Sequence, residues 1–338
     1  MGKKIAVLGA GAIGSCIGAD LTKAGHDVVL IDQWSAHVEA MKAGGLTIKM
    51  PEEDLHVAVR AYHLSDVSNL YQQFDIVLLA SKSYDTRWMV EFIRPYLKPD
   101  GFLVSVQTSM NDEWITPIIG TARDIGCVIE LSAEIFTPGV VQRNTTQKTT
   151  WFGLGELHGR ITPRLRDLER IMTASGKVSL TTNIWGAKWT KLTNSSMILA
   201  PMGVLGLYSW ESTSIPDVFN LCTKLGRETM LVGKALGYAT EAIFGMNAEE
   251  FLGSTDEVLE KNLKTIVAFV GKKARGVVLQ DYIRGRRSET DYLNGLVVAK
   301  GKEANVPTPY NEMITTLSRR IEHGELIPQR SNMALMQM

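Results

Sequence analysis

Short, uninterrupted apolar runs recur through the first part of the chain: KIAVLG (4–9), VVLI (28–31), DIVLLA (75–80), FLVSV (102–106) and CVIEL (127–131). Runs this short, without polar alternation, predict strands buried on both faces. The stretches between them carry helical spacing, over Ile13–Ala24, Ser35–Ala43, Thr86–Tyr96 and Trp114–Ile125. Alternating strands and helices predict a parallel sheet covered on both sides. Beyond about residue 136 the pattern changes. VVQRNTTQKTTWFGLGE (140–156), rich in Thr and aromatics, reads as a β-hairpin or two edge strands. ITPRLRDLERIMTASG (161–176) is an amphipathic helix stopping at Gly176. From about residue 185 nearly everything reads as helix: 186–200, 214–237, 247–252, 255–274, 288–304 and 308–324. The tail PQRSNMALMQM is expected to be loose at its end. An α/β domain over 1–182 followed by a mainly α domain over 183–338 is the predicted division.

Length agrees with that division, since 338 residues exceed the size at which a single core stops growing. Lysine plus arginine and aspartate plus glutamate both number 36, so the chain has no net charge and no basic stripe for nucleic acid or an anionic membrane. Its three cysteines, Cys16, Cys127 and Cys222, are odd in number and widely spaced, which argues against a disulfide framework and fits a reducing cytoplasm. MGKKIAVLGAG enters a strand at once, with no pattern of a secretory signal. Leu192–Trp210 contains no charged residue, yet it holds Thr193, Asn194, Ser195, Ser196, Pro201, Gly203 and Gly206. A buried helix broken near Pro201 fits it better than a membrane span. The six histidines show no ligand spacing, so no metal is expected, and no elbow motif presents a nucleophilic serine or cysteine.

The glycines of VLGAGAIGSCIG give G-x-G-x-x-G as Gly9, Gly11 and Gly14, following a buried strand and opening a helix. In that context the first glycine permits a tight turn, the second lets the backbone approach a pyrophosphate, and the third lets helix and strand pack closely. Gly9, Gly11, Ala12, Ile13 and Gly14 therefore form an expected phosphate-binding turn at a helix N-terminus, and the first domain reads as a Rossmann fold. Asp32 ends the next strand, where a carboxylate accepts hydrogen bonds from the ribose hydroxyls of NAD and repels a 2′-phosphate. No Arg or Lys follows until Lys42, so NAD is favoured over NADP.

Two further stretches are specific: ASKSYDT (80–86), at a strand end, and LQDYIRGRRSETDYLNG (279–295). With the glycines and WTKL (189–192), they resemble the ketopantoate reductase (2-dehydropantoate 2-reductase) family, in the same order along almost the whole chain. The resemblance implies a Rossmann domain followed by a helical domain of the 6-phosphogluconate-dehydrogenase-like type, with the active site in the cleft between them. It implies that Lys191 donates the proton to a substrate carbonyl, that Glu289 supports substrate and lysine, and that Lys82 lies near the cofactor. An ammonium within hydrogen-bond reach would stabilise the oxygen that gains charge as hydride arrives. From the residues alone, Lys191 could instead lay its stem along an apolar helix face. Ser288, Glu289 and Asp291 could equally be the first turn of a helix, with Ser288 as cap and Asp291 three residues on.

The departures from the family pattern bear on substrate. In VQTSMN the family's cofactor-binding asparagine is Thr108, and Ser109 stands for glycine. Four residues after the lysine the family has an asparagine; here that place is Ser195, with Asn194 one residue early. Asn194, Ser195 and Ser109 are candidate substrate contacts. Leu199 replaces a further asparagine, and Val277 replaces a substrate-binding serine. Polar recognition gives the largest discrimination, so these losses predict a changed substrate. The expected activity is NAD-linked hydride transfer between nicotinamide and a secondary alcohol or ketone, a 2-hydroxy or 2-oxo acid or a relative. The alternatives are a true 2-dehydropantoate 2-reductase and a non-catalytic dinucleotide sensor. A small-molecule substrate is the expected partner, and the apolar faces of the helical half are compatible with a homodimer.

Overall fold

The computed structural model describes residues 2–244, 255–272 and 274–336. It contains two compact units, Met1–Ile184 and Trp185–Met338. The first has twelve strands: β1 (Lys4–Leu8), β2 (Asp27–Asp32), β3 (Leu46–Lys49), β4 (Leu55–Val57), β5 (Arg60–His63), β6 (Phe74–Leu79), β7 (Leu97–Ser105), β8 (Asp124–Glu130), β9 (Ala133–Thr137), β10 (Val140–Arg143), β11 (Trp151–Glu156) and β12 (Lys177–Leu180). Its helices are α1 (Ala12–Lys23), α2 (Ser35–Gly44), α3 (Thr86–Ile93), α4 (Asp112–Ile119) and α5 (Pro163–Met172). The main sheet runs β12-β11-β8-β7-β6-β1-β2-β5. All neighbours in it are parallel except β8 and β11. From β5 to β8 this is the doubly wound 3-2-1-4-5-6 order, and the crevice where the winding reverses lies beyond the C-terminal ends of β1 and β6.

Cores on both faces explain the unbroken apolar strands. Alternate residues of β1, Ile5 and Val7 on one side and Ala6 and Leu8 on the other, enter two separate clusters. Helix α1 is buried without interruption from Gly14 to Leu21 because a second sheet, β4-β3-β10-β9, covers its far side. Asp20 on that far side is buried, with Oδ2 accepting from Arg143 Nη1 of β10 at 2.7 Å and from Ser175 Oγ at 2.6 Å. The 140–156 stretch is therefore neither a hairpin nor a pair of edge strands. β10 sits inside the small sheet and β11 inside the large one, and local Thr-rich patterning carries no information on which sheet a strand joins. Helix α4 also ends earlier than its spacing suggests. Gly120, at φ +83°, stops it, and Asp124–Ile125 already belong to β8.

The second unit is helical: α6 (Ile184–Leu205), α7 (Glu211–Ser214), α8 (Pro216–Ala235), α9 (Thr255–Val270), α10 (Val277–Ile283), α11 (Asn294–Glu303) and α12 (Pro309–Glu322). α6 does not break at Pro201 but continues through it to Leu205. Neighbours hold its later turns. Gly203 lies so close to Val278 that a Cβ would come within 2.4 Å of it, and Asn332 Nδ2 donates to the Val204 carbonyl at 2.9 Å. That bond also docks the tail, whose described part forms a 3-10 turn over Arg330–Met336 with Asn332 and Met336 buried, while its end, 337–338, lies outside the described residues. The stretch 288–304 does not form one helix: a 3-10 turn at Thr290–Tyr292 precedes α11. Ser288 caps no α-helix; its Oγ accepts from Thr290 N and bonds the Glu322 carboxylate at 2.7 Å. Glu228 of α8 accepts from Tyr310 N, Asn311 N and Asn311 Nδ2, fixing the start of α12, while burial pushes its carboxyl up. The predicted helix 247–252 lies outside the described residues.

Candidate functional site

At the crevice between β1 and β6 the three glycines do three different jobs. Gly9 has φ +95°, and a Cβ on it would stand 2.5 Å from Ser81 N in the loop after β6. On Gly14 a Cβ would lie 2.1 Å from the Gly9 carbonyl oxygen. Gly11 caps α1, and a Cβ there meets nothing within 4 Å. The turn is thus packed where it folds and open where α1 presents the free N–H groups of its first turn, Ala12 and Ile13 among them. Open space at a helix N-terminus suits an anion.

Asp32 lies at the C-terminal end of β2, largely buried, with Oδ1 accepting from Trp34 N at 2.7 Å. The next basic residue, Lys42, is held by Glu39 and Asp66, both at 3.1 Å, and these bonds raise its ammonium above the usual lysine range. On the other side of the crevice, the loops after β6 and β7 are stitched together. Gln107 Nε2 donates to the Ser81 carbonyl at 2.8 Å and to Thr86 Oγ1 at 2.9 Å. Asn111 Nδ2 donates to the Thr108 carbonyl at 2.7 Å, and Thr86 Oγ1 donates to Asn111 Oδ1 at 3.1 Å. This network brings Lys82, Thr108 and Ser109 to one end of the sheet. Gln107 and Asn111 stand beside the residues singled out in VQTSMN and were missed because their side chains face protein, which spacing does not reveal. Ser109 is buried and holds a left-handed backbone, with φ +91°.

In the second unit, Lys191, Asn194 and Ser195 occupy α6 at spacings of three and four, and therefore share one face. Lys191 is half-buried. Asn194 and Ser195 are 2% and 4% exposed, and neither the Asn194 amide atoms nor Ser195 Oγ has a hydrogen-bond partner among the described residues. Buried polar groups are nearly always paired, and each unpaired one costs about 1–3 kcal/mol. The half-buried Glu289 sits on the turn ahead of α11, and the same segment is tied to α6 by Asn294 Nδ2 donating to the Ser196 carbonyl at 3.1 Å. Leu199 continues the face beyond Ser195. It is the neighbour that a Cβ on Gly276 would meet, at 3.5 Å, so it lies beside the residue preceding Val277. Leu199 and Val277 are both half-buried. The two apolar departures therefore occupy one neighbourhood.

Burial pushes the Cys16 thiol up to about 12 and the Cys222 thiol higher still, so neither offers a thiolate. Among the described residues, no group of three His, Cys, Asp or Glu side chains is placed to hold a metal. No described helix is long and apolar enough to cross a membrane.

A glycine-turned helix N-terminus at the reversal point of a 3-2-1-4-5-6 sheet, joined to a helical unit that carries a lysine on a polar face, is the build of a dinucleotide-dependent oxidoreductase. Comparison with known proteins makes the assignment specific. Residues 5–156 match the model of Ketopantoate reductase PanE/ApbA, and residues 183–322 match that of its C-terminal domain, so the chain belongs to the ketopantoate reductase family. It is 28% identical to a 2-dehydropantoate 2-reductase of Pyrococcus horikoshii over 326 residues, covering 94% of this chain and 97% of the relative. Among solved structures, a PanE/ApbA family ketopantoate reductase from Ralstonia eutropha JMP134 is similar at TM-score 0.79 and 26% identity, covering 95% of this chain and 99% of that one. D-mandelate dehydrogenase, solved with NADH and anilino(oxo)acetate, shares the fold at TM-score 0.84 and 22% identity, with 95% and 99% covered. The chain is an NAD(P)-dependent oxidoreductase of the ketopantoate reductase type acting on CH–OH.

Proposed function

We propose that this enzyme is NAD-linked and interconverts a 2-oxo acid and its 2-hydroxy acid, with a substrate substituent more apolar than that of ketopantoate. The observation that carries the reading is the α6 face. Lys191 stands there beside two buried polar side chains that lack partners among the described residues, and the face runs on into Leu199, next to the Val277 segment. A carboxylate or carbonyl brought to this face satisfies Asn194 and Ser195, and the apolar pair takes the substituent.

The residues of the first unit fit a dinucleotide. Gly11 leaves open the space at the N-terminus of α1 that a pyrophosphate needs, and Ala12, Ile13 and Gly14 turn backbone N–H groups toward it. Asp32 accepts from the adenosine ribose and repels a 2′-phosphate, while Lys42 is engaged elsewhere. Lys82, Thr108 and Ser109 serve the nicotinamide end. When bound, the dinucleotide supplies the hydride for the substrate carbon. Lys191 Nζ hydrogen-bonds the carbonyl oxygen, stabilises its developing charge and delivers the proton. In the oxidative direction the same nitrogen takes the proton back from the hydroxyl. Glu289 supports the lysine and the substrate.

The test is a set of initial rates with ketopantoate and with phenylglyoxylate, using NADH and NADPH, for wild type beside Lys191→Ala. Lysine-dependent turnover of phenylglyoxylate with NADH, exceeding that of ketopantoate, is the expected result. Efficient ketopantoate reduction would establish the second reading, a true 2-dehydropantoate 2-reductase, which the Pyrococcus relative supports.

A further inference from the structure

Trp189 belongs to the WTKL motif, yet it takes no part in the chemistry assigned to Lys191. Two residues along a helix are about 200° apart, so Trp189 and Thr193 face away from Lys191. On that opposite side lies a cavity of ≈ 310 Å³ within the helical unit, walled by Trp189, Thr190 and Thr193 of α6, Met230 of α8, Tyr238 beyond it and Asn262 of α9. Its aromatic wall is fixed. Trp189 Nε1 donates to the Thr229 carbonyl at 3.0 Å, and the indole stacks on Tyr238 with centroids 4.7 Å apart and planes 16° from parallel. The indole also lies against Gly233, where a Cβ would come within 2.0 Å of Nε1. Asn262 is 2% exposed and lines the cavity. Lys234 is the charged residue among the lining residues and is exposed.

We infer that this cavity is a second ligand site, separate from the Lys191 face, and that it takes a small aromatic monocarboxylate. The size falls at the lower end for small-molecule pockets, too small for a dinucleotide. A rigid aromatic and Met-lined wall favours a planar ring. A buried amide on the cavity wall offers a polar ligand group a hydrogen-bond donor and acceptor, and a lone ammonium sets a single negative charge. Because the site is built on the helix that carries Lys191, occupancy acts on the same element as catalysis.

The experiment is calorimetric titration of the full chain with indole-3-acetate, and with neutral indole as control. Wild type is compared with Asn262→Leu, Lys234→Gln and Lys191→Ala, and NADH affinity is measured in each. Saturable binding of the acid is expected, weakened about tenfold by Asn262→Leu and several-fold by Lys234→Gln, with NADH affinity and the Lys191→Ala titration unchanged. If Asn262→Leu does not fold, the exposed Lys234→Gln decides alone. Absence of saturable binding overturns the site. Equal binding of indole, with no effect of Lys234→Gln, overturns the anion. Loss of binding in Lys191→Ala places the acid on the catalytic face and overturns the separation.

Discussion

The glycine turn of the first unit and the Lys191 face of the second are held in place by different physics. The turn is fixed by backbone. Gly9 and Gly14 touch main-chain atoms so closely that any side chain must displace them, and the neighbouring loops are hydrogen-bonded to one another. The α6 face is fixed by the helix as a whole, while its individual side chains are replaceable, and two of them lack partners among the described residues. A backbone-built site resists change because altering it alters the fold. A side-chain-built site on a buried helix can exchange asparagine for leucine and keep the helix. On the proposed reading, that contrast is what lets the glycine turn and the lysine persist while substrate-facing side chains change.

The comparison breaks most sharply at Lys191. Lys191→Ala is expected to lower kcat by about 10²–10⁴-fold, with NADH affinity unchanged in a fluorescence titration. A matching loss of NADH binding would show that the lysine serves the cofactor. In the turn, Gly14→Ala should destabilise the protein by about 1–3 kcal/mol, because its Cβ would stand 2.1 Å from the Gly9 carbonyl oxygen. Gly11→Ala should leave the melting curve in place and weaken NADH about tenfold, since its Cβ occupies only open space. Equal melting of the two variants would remove the distinction between packing and ligand glycines. On α6, Asn194→Leu should raise the thermal midpoint, by removing an unpaired buried amide worth about 1–3 kcal/mol, and lower kcat/KM. A fall in both would make Asn194 a structural residue. Asp32→Asn keeps an acceptor for Trp34 N and removes the charge. It should move the NADPH-to-NADH ratio of kcat/KM toward NADPH by about tenfold, read from paired initial rates. The smallest effect expected is from Ser109→Gly, which should stabilise by about 1 kcal/mol in denaturant unfolding by relieving a serine at φ +91°.

Some of this was legible because it is local. Unbroken apolar runs announced the parallel strands, and the glycine spacing announced the turn, because strand burial and tight turns depend on a few consecutive residues. The order of the motifs announced the family. Other features depend on partners remote in the chain. Arg143 meets Asp20 across 123 positions, which is how β10 leaves the main sheet to cover α1 and why 140–156 is no hairpin. Pro201 is carried inside α6, whose following turns are held by Val278 and Asn332. Gln107 and Asn111 became site-supporting residues only when two loops met. The sequence by itself determined the strand-and-helix alphabet, the glycine turn and the position of the lysine. The tertiary structure alone decided which polar side chains are left without partners and where a second cavity opens, because a missing hydrogen bond is a property of every neighbour at once.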